Sequence, residues 1–195
     1  MKNRVITISR EFGSGGRTIG KKVAEKLGIP CYDAEIIQEM AKETGFAPDY
    51  VKVAGEYAPG SFLSSAFSNR MFGPTNEDLL WKLQYRIIRE LAEKEPCVIV
   101  GRCADYILKD YENVVNIFIR ANLDFRIKRS IQVDQLDESK AGEIVSKKDK
   151  SRGNYYRYHA GERWDNLMNY DLVLRSDLVG IDKAVECIKN YVEAM

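Results

Sequence analysis

The sequence is short of the residues that build metal and disulfide sites. It has one histidine, His159, and four cysteines, Cys31, Cys97, Cys103 and Cys187, none of them in a CxxC pair. A structural zinc site of the usual Cys/His spacing is thereby excluded, and no disulfide framework can be read. Long apolar runs are also missing: no stretch approaches the about 18 apolar residues that a membrane-crossing helix needs. Neither sign of charge prevails, with 30 Lys+Arg against 29 Asp+Glu, so the overall balance gives no argument for a nucleic-acid partner. A strand-like run begins almost at the first residue, leaving no room for the charged and apolar regions of a secretory leader. The expectation is a cytoplasmic protein with reduced thiols.

What is present suits one globular domain. The chain has 195 residues, 45% of them hydrophobic, enough for a core, and 30% charged, enough for a hydrated surface. The near-zero net charge hides a local division, with basic residues crowded into 126–163 and an acidic lean over 33–57.

Strands and helices alternate along the chain, with no internal repeat. Val5-Ile6-Thr7-Ile8 is a β-branched apolar run of the kind found in buried parallel strands. A glycine cluster follows, then Ile19, Val23 and Leu27 at helical spacing, closed by Gly28 and Pro30. Ile29–Tyr32 predicts a second strand ending at Asp33, and Glu35–Thr44 a helix with Ile36, Ile37 and Met40 inward. Residues 55–76, rich in Gly, Pro, Ser and Phe, read as a loop or insert whose phenylalanines need a packing surface. A helix is predicted over 77–94, a central strand at Cys97–Val100 ending in Gly101-Arg102, and another strand at Val114–Ile119. Basic helices follow over 123–134 and 138–150, then a polar, aromatic stretch at 149–165. A strand at Leu172–Leu174 and a helix over 181–193 complete the chain. This alternation predicts an α/β fold: a parallel five-stranded sheet with helices on both faces. Ligands of such sheets bind beyond the carboxyl ends of the strands. Residues 9–18, Asp33 and Gly101–Asp105 all fall there.

The loop after the first strand reads Ser9-Arg10-Glu11-Phe12-Gly13-Ser14-Gly15-Gly16-Arg17-Thr18. Glycines at a helix start let backbone N–H groups turn inward around an anion. The usual phosphate-loop pattern is GxxxxGK followed by Ser or Thr. Placing Gly16-Arg17-Thr18 on its GK[ST] end puts Arg17 in the lysine's place and Glu11 in the first glycine's; a register one residue earlier puts Gly16 in the lysine's place. Gly15 to Gly20-Lys21 also fits GxxxxGK but would set the turn inside a helix, since Ile19 belongs to the apolar stripe. A dinucleotide fingerprint fails at Thr18. A plain strand-to-helix turn that binds nothing is the alternative, but three glycines, a serine, an arginine and a threonine exceed what a turn requires.

The loop ITISREFGSGGRTIGKKVAEKLGIPCYD resembles the opening of the cytidylate-kinase-like family, including the absence of the phosphate-loop lysine. VIVGRCADYILKDYENVVNIFIRANLDFRIKR, KKDKSRGNYYRYHAG and YDLVLRSDLVGIDKAVECIKNYV resemble that family's GR segment, lid and closing strand and helix. The likeness runs through nearly the whole chain in order and is weakest over 45–95. It implies a single P-loop domain of the nucleoside-monophosphate-kinase type spanning 1–195, with a substrate-side insert at 45–76 and a lid at about 123–165. It also implies ATP as donor with Mg²⁺, a small nucleotide as substrate, and no nucleic-acid or membrane partner; it leaves the oligomeric state open. Val100 and Cys103 stand where the family's acidic residues flank the GR pair.

On this reading the amides of Gly13, Ser14, Gly15, Gly16, Arg17 and Thr18 hold the donor's phosphates, and the hydroxyl of Thr18 or Ser14 turns towards Mg²⁺. Arg17, Lys148 and Arg152 carry the catalytic positive charge, with Arg126, Arg129 and Arg157 as further lid cations, because a guanidinium fork fits phosphate oxygens. Arg102 reaches the acceptor. Asp33 and Asp105 serve the substrate or the metal's water shell, with helix capping as their plainer use. Arg10 and Glu11 are expected to pair. Tyr155, Tyr156, Tyr158 and His159 either stack on a base or pack the lid. His159 has no nucleophile beside it, so no hydrolase triad is read. The leading activity is phosphoryl transfer to CMP or dCMP. The alternatives are a kinase of another small acceptor and a catalytically weakened nucleotide sensor or interaction protein.

Overall fold

The computed structural model describes residues 4–54 and 75–195. Five strands form one parallel sheet: β1 (Val5–Arg10), β2 (Cys31–Tyr32), β3 (Cys97–Val100), β4 (Val114–Arg120) and β5 (Leu172–Arg175). Their spatial order is β2-β3-β1-β4-β5, so the strand that leads into the glycine loop lies in the middle. Helix α1 (Gly16–Leu27) follows β1, and α2 (Ala34–Thr44) and α3 (Pro48–Ala54) follow β2. Next come α4 (Asn76–Lys94), the short α5 (Ala104–Ile107), α6 (Leu123–Asp134) and α7 (Ala141–Ala160). The short α8 (Ser176–Val179) and α9 (Ile181–Ala194) close the chain.

Strand alternation divides the core. Val5, Cys97 and Ile99 face a layer built from α2, α3, α4 and α5, including Ile36, Met40, Val51, Leu80, Ile88 and Ile107. Ile6, Ile8, Val98, Val100, Ile117 and Ile119 face α1 and α9 through Ile19, Val23, Val185 and Ile188. Both faces are therefore buried, which is what makes these strands read as continuous apolar runs.

Three elements differ from the sequence reading. The second strand shrinks to Cys31–Tyr32 because Pro30 has no N–H to give; its carbonyl accepts from Val98 at 2.9 Å. The proposed insert at 45–76 begins as a helix, α3, anchored by fully buried Val51; residues 55–74, with most of the aromatic loop, lie outside the described residues. The helix expected to stop near 150 runs on to Ala160, so Lys148 and Arg152 lie on one continuous helix. Its buried positions step by four from Ala141 to Val145 and from Ser151 to Tyr155, so Tyr155 and Tyr156 of the polar, aromatic stretch belong to the helix's inner stripe. Gly153 interrupts nothing, because Trp164 packs over it: a Cβ there would lie 3.0 Å from Trp164 Nε1.

Candidate active site

After β1 the chain turns through Gly13 (φ 77°) and Gly15 (φ 85°), both left-handed. Space forbids side chains as firmly as the torsions do. A Cβ at Gly13 would lie 2.5 Å from the Arg126 carbonyl oxygen, and one at Gly15 2.5 Å from Ile181 Cδ1. Ser14 between them is wholly buried and braces the turn from behind: its hydroxyl donates to the Glu11 carbonyl at 2.8 Å, and its own carbonyl accepts from the Ser176 hydroxyl at 2.6 Å. Ile19 donates to Gly15 O at 2.9 Å as α1's first regular rung, so the amides of Gly16, Arg17 and Thr18 precede the helix's own ladder. Such amides at the positive end of a helix form an anion site.

Two clefts meet at this loop. The first, about 860 Å³ of open space, is walled by Gly13, Gly15 and Gly16 together with Arg129 and Lys148. The second, about 620 Å³, lies beyond the ends of β2 and β3 and is walled by Asp33, Ile37, Arg102, Tyr155 and Trp164. Among the described residues four belong to both walls: Arg10, Arg17, Lys52 and Arg152. All four are cationic. A group carrying negative charge from one cleft to the other would pass along them.

Each cation is held differently. Arg17 reaches across the second cleft, with Nε 2.5 Å from Oδ2 of Asp33, whose side chain is 7% exposed. Arg152, on α7, donates to the Arg10 carbonyl at 3.2 Å and lies over the Phe12 ring, 5.4 Å from its centroid. Arg129, on α6, donates to the Thr18 hydroxyl at 2.8 Å. Arg102 follows Gly101 in a left-handed turn in which Gly101, Arg102 and Cys103 have φ of 73°, 60° and 53°. Its carbonyl accepts from Gln84 Nε2 at 3.0 Å, while its buried Nη1 has no hydrogen-bond partner among the described residues. A buried cationic donor left open on a cleft wall favours an anionic ligand.

A model of the Cytidylate kinase-like family matches residues 5–178. The chain belongs to that family. It is 24% identical over 191 residues to a cytidylate kinase of Staphylothermus marinus, covering 97% of this chain and 96% of that one. Among solved structures, an uncharacterized protein from Eubacterium ventriosum is 30% identical, with a TM-score of 0.75 over 98% of this chain and 99% of the other. Shikimate kinase from Bacteroides thetaiotaomicron shares the fold at 14% identity, with a TM-score of 0.58 over 97% of this chain and 98% of its own. The protein is thus a kinase-type phosphotransferase on a P-loop α/β scaffold.

As a cytidylate kinase-like protein it implies ATP and Mg²⁺, and the loop fits the nucleotide's phosphates: two left-handed glycines make a cradle that a Cβ would fill, beside amides that precede the α1 ladder. For the metal, the described residues contain no group of three or more His, Cys, Asp or Glu. The Thr18 hydroxyl expected to face the metal accepts from Arg129 at 2.8 Å and lies on neither cleft wall, so phosphate oxygens and water would be the main ligands of a Mg²⁺ ion, which takes few from protein.

The remaining expected site residues are placed away from both walls. Arg126 is 9% exposed and pairs with Asp149 and, at 3.6 Å, with Glu11; Asp149 also accepts from the Phe12 amide at 2.7 Å. This cluster ties α6 and α7 to the back of the loop through Arg126, Asp149 and Glu11. Arg157 lies in a separate open hollow with Arg163 and Asp165. Asp105 is 4% exposed, behind Ser9 and Tyr156, whose hydroxyls reach it at 3.4 and 2.8 Å. Burial raises its carboxyl above the ordinary value, against those hydrogen bonds. His159 stacks on Trp81 with ring centroids 3.7 Å apart and meets Tyr155 and Tyr158 edge-on; burial lowers its imidazole to about 4. His159 and Tyr158 pack at the α4–α7 contact, whereas Tyr155 and Tyr156 also line the second cleft.

Sequence reasoning missed Lys52 and Trp164. Lys52 is one cation in an acid-leaning stretch, with no motif around it, and only the folding of α3 brings it to the glycine loop. Trp164 carries no local signal either; it reaches the site by packing against Gly153 and Phe118.

Proposed function

We infer that the protein transfers the γ-phosphoryl group of ATP to a nucleoside monophosphate, with CMP or dCMP the first acceptors to try. The observation that carries the reading is the all-cationic wall shared by the two clefts. Phosphoryl transfer asks a protein for little covalent chemistry and much positioning and positive charge. The loop amides of Gly13–Thr18 hold the donor in the first cleft. Arg102 and the Arg17–Asp33 pair receive the acceptor in the second, and Lys148 and Arg152 bring positive charge from α7. Mg²⁺, when bound with the nucleotide, neutralises charge between phosphates.

A second reading, another small phosphorylated or hydroxylated acceptor, rests on the residues flanking Gly101-Arg102. Val100 and Cys103 are buried and carry no carboxylate, so an acidic contact there is lacking. An ADP-coupled assay over nucleoside monophosphates and small metabolites separates the two. Turnover with CMP or dCMP above all others is the expected result; turnover confined to a non-nucleotide acceptor would replace it. If the protein binds ATP but turns over no acceptor, the family member is a sensor.

A further inference from the structure

We propose that Lys52 supplies the phosphate-binding ammonium that the glycine loop lacks, contacting the phosphoryl group as it passes between the clefts. This rests on the kinase reading above and adds to it a residue from outside the loop.

Arg17 occupies the usual lysine position in the loop, yet its guanidinium is engaged by Asp33 on the acceptor side. Arg152 is fixed by the Arg10 carbonyl and the Phe12 ring. Arg10 lies folded against Gly101, so closely that a Cβ there would strike its guanidinium. Lys52 is the fourth residue of the shared wall, and it makes no hydrogen bond or ion pair among the described residues. Its backbone is placed firmly: Val51 is fully buried against the α2–α4 layer, and Tyr50 packs edge-on against Phe46 at 5.3 Å. A flexible four-carbon stem on a fixed helix delivers a compact point charge with three donors, which is how a phosphate-loop lysine acts. A rigid guanidinium fork already paired with a carboxylate does so less readily.

In the transfer, an oxygen of the acceptor phosphate bonds to the γ-phosphorus while the bond from that phosphorus to the β–γ bridging oxygen breaks. The electron pair stays on that oxygen, giving ADP. An anionic acceptor oxygen has no proton to lose, so Lys52 has only to hold charge. It remains protonated throughout.

The test uses the full chain with Lys52→Met and Lys52→Arg. Turnover is measured on the best acceptor from the panel, and ATP and ADP dissociation constants with Mg²⁺ by titration. Removing one such donor is expected to lower kcat by roughly 10²-fold, with partial return in Lys52→Arg. ATP affinity should weaken about tenfold while ADP affinity holds, because Lys52 faces the transferred group; apo Tm should not move. A Lys52→Met protein within about threefold of wild-type kcat overturns the proposal and leaves the kinase reading standing. If wild-type protein turns over no acceptor, that reading falls, and Lys52 is judged by binding: an unchanged ATP/ADP affinity ratio in Lys52→Met overturns it. A wild-type protein that binds neither nucleotide overturns both.

Discussion

Asp105 is a carboxyl sheltered from solvent, with the Ser9 and Tyr156 hydroxyls and the Asp105 and Tyr106 amides among its hydrogen-bond donors. Because its folded-state value is raised, the stability it contributes is present below its unfolded value and is lost as pH rises through the folded one. Asp105→Asn keeps an oxygen for Tyr156 and Ser9 but removes the titration, so its urea midpoint relative to wild type should increase as pH rises above the ordinary carboxylate range. Asp105→Ala leaves both hydroxyls without an acceptor and should cost about 1–3 kcal/mol. A midpoint difference that does not change with pH would contradict the buried-charge account. The sequence made Asp105 visible as a carboxylate just beyond the central strand. It could not show that Ser9 and Tyr156 would stand between it and the cleft, because Tyr156 arrives from a helix some fifty positions on. Arg17 and Asp33 were legible one by one, but their pairing depends on how α1 and β2 pack.

At the scale of elements, the strand–loop–helix unit of β1 and α1 was legible because its signals are local: β-branched residues, glycines, then a period near four. The glycines there are not equivalent to others with the same torsion. Gly28 also has a positive φ, 66°, but a Cβ would meet nothing within 4 Å. Gly28→Ala should therefore cost only the left-handed backbone term, about 1 kcal/mol. Gly13→Ala adds a collision with the Arg126 carbonyl at 2.5 Å and with Ser130 Oγ at 2.6 Å, and both groups are held by buried neighbours. It should lower stability by about 2–4 kcal/mol and weaken ATP binding, while Gly28→Ala leaves binding alone. Thermal melts with and without ATP check both; equal costs would mean that the loop yields easily. Helix α7 shows the opposite case. Its basic and aromatic residues alternate with little apolar periodicity, so its length could not be read before Tyr155, Tyr156 and Trp164 were seen to bury one another.

For the molecule as a whole, acid stability offers a test in which a single imidazole can be isolated by comparing a variant with the wild type. The sequence holds one histidine, so between about pH 6.5 and 5 no second imidazole titrates and most carboxylates are still ionised. His159 sits between Trp81 and the tyrosines of α7, where burial lowers it to about 4 and the Asp78 charge only partly opposes this. The unfolded chain therefore binds a proton that the folded chain refuses. Stability from this group is complete above the unfolded value and is lost as pH falls from about 6.5 towards 4. With its partial exposure allowed for, the loss by pH 5 is on the order of 1 kcal/mol, a Tm decrease of about 2–4 °C at this chain length. His159→Phe keeps an aromatic ring on Trp81 and removes this titration while Asp105 titrates alike in both proteins, so the Tm of the variant minus that of the wild type should grow from pH 7 to pH 5. Parallel curves for the two proteins would show that the imidazole is protonated in place, and that the α4–α7 contact tolerates a charge.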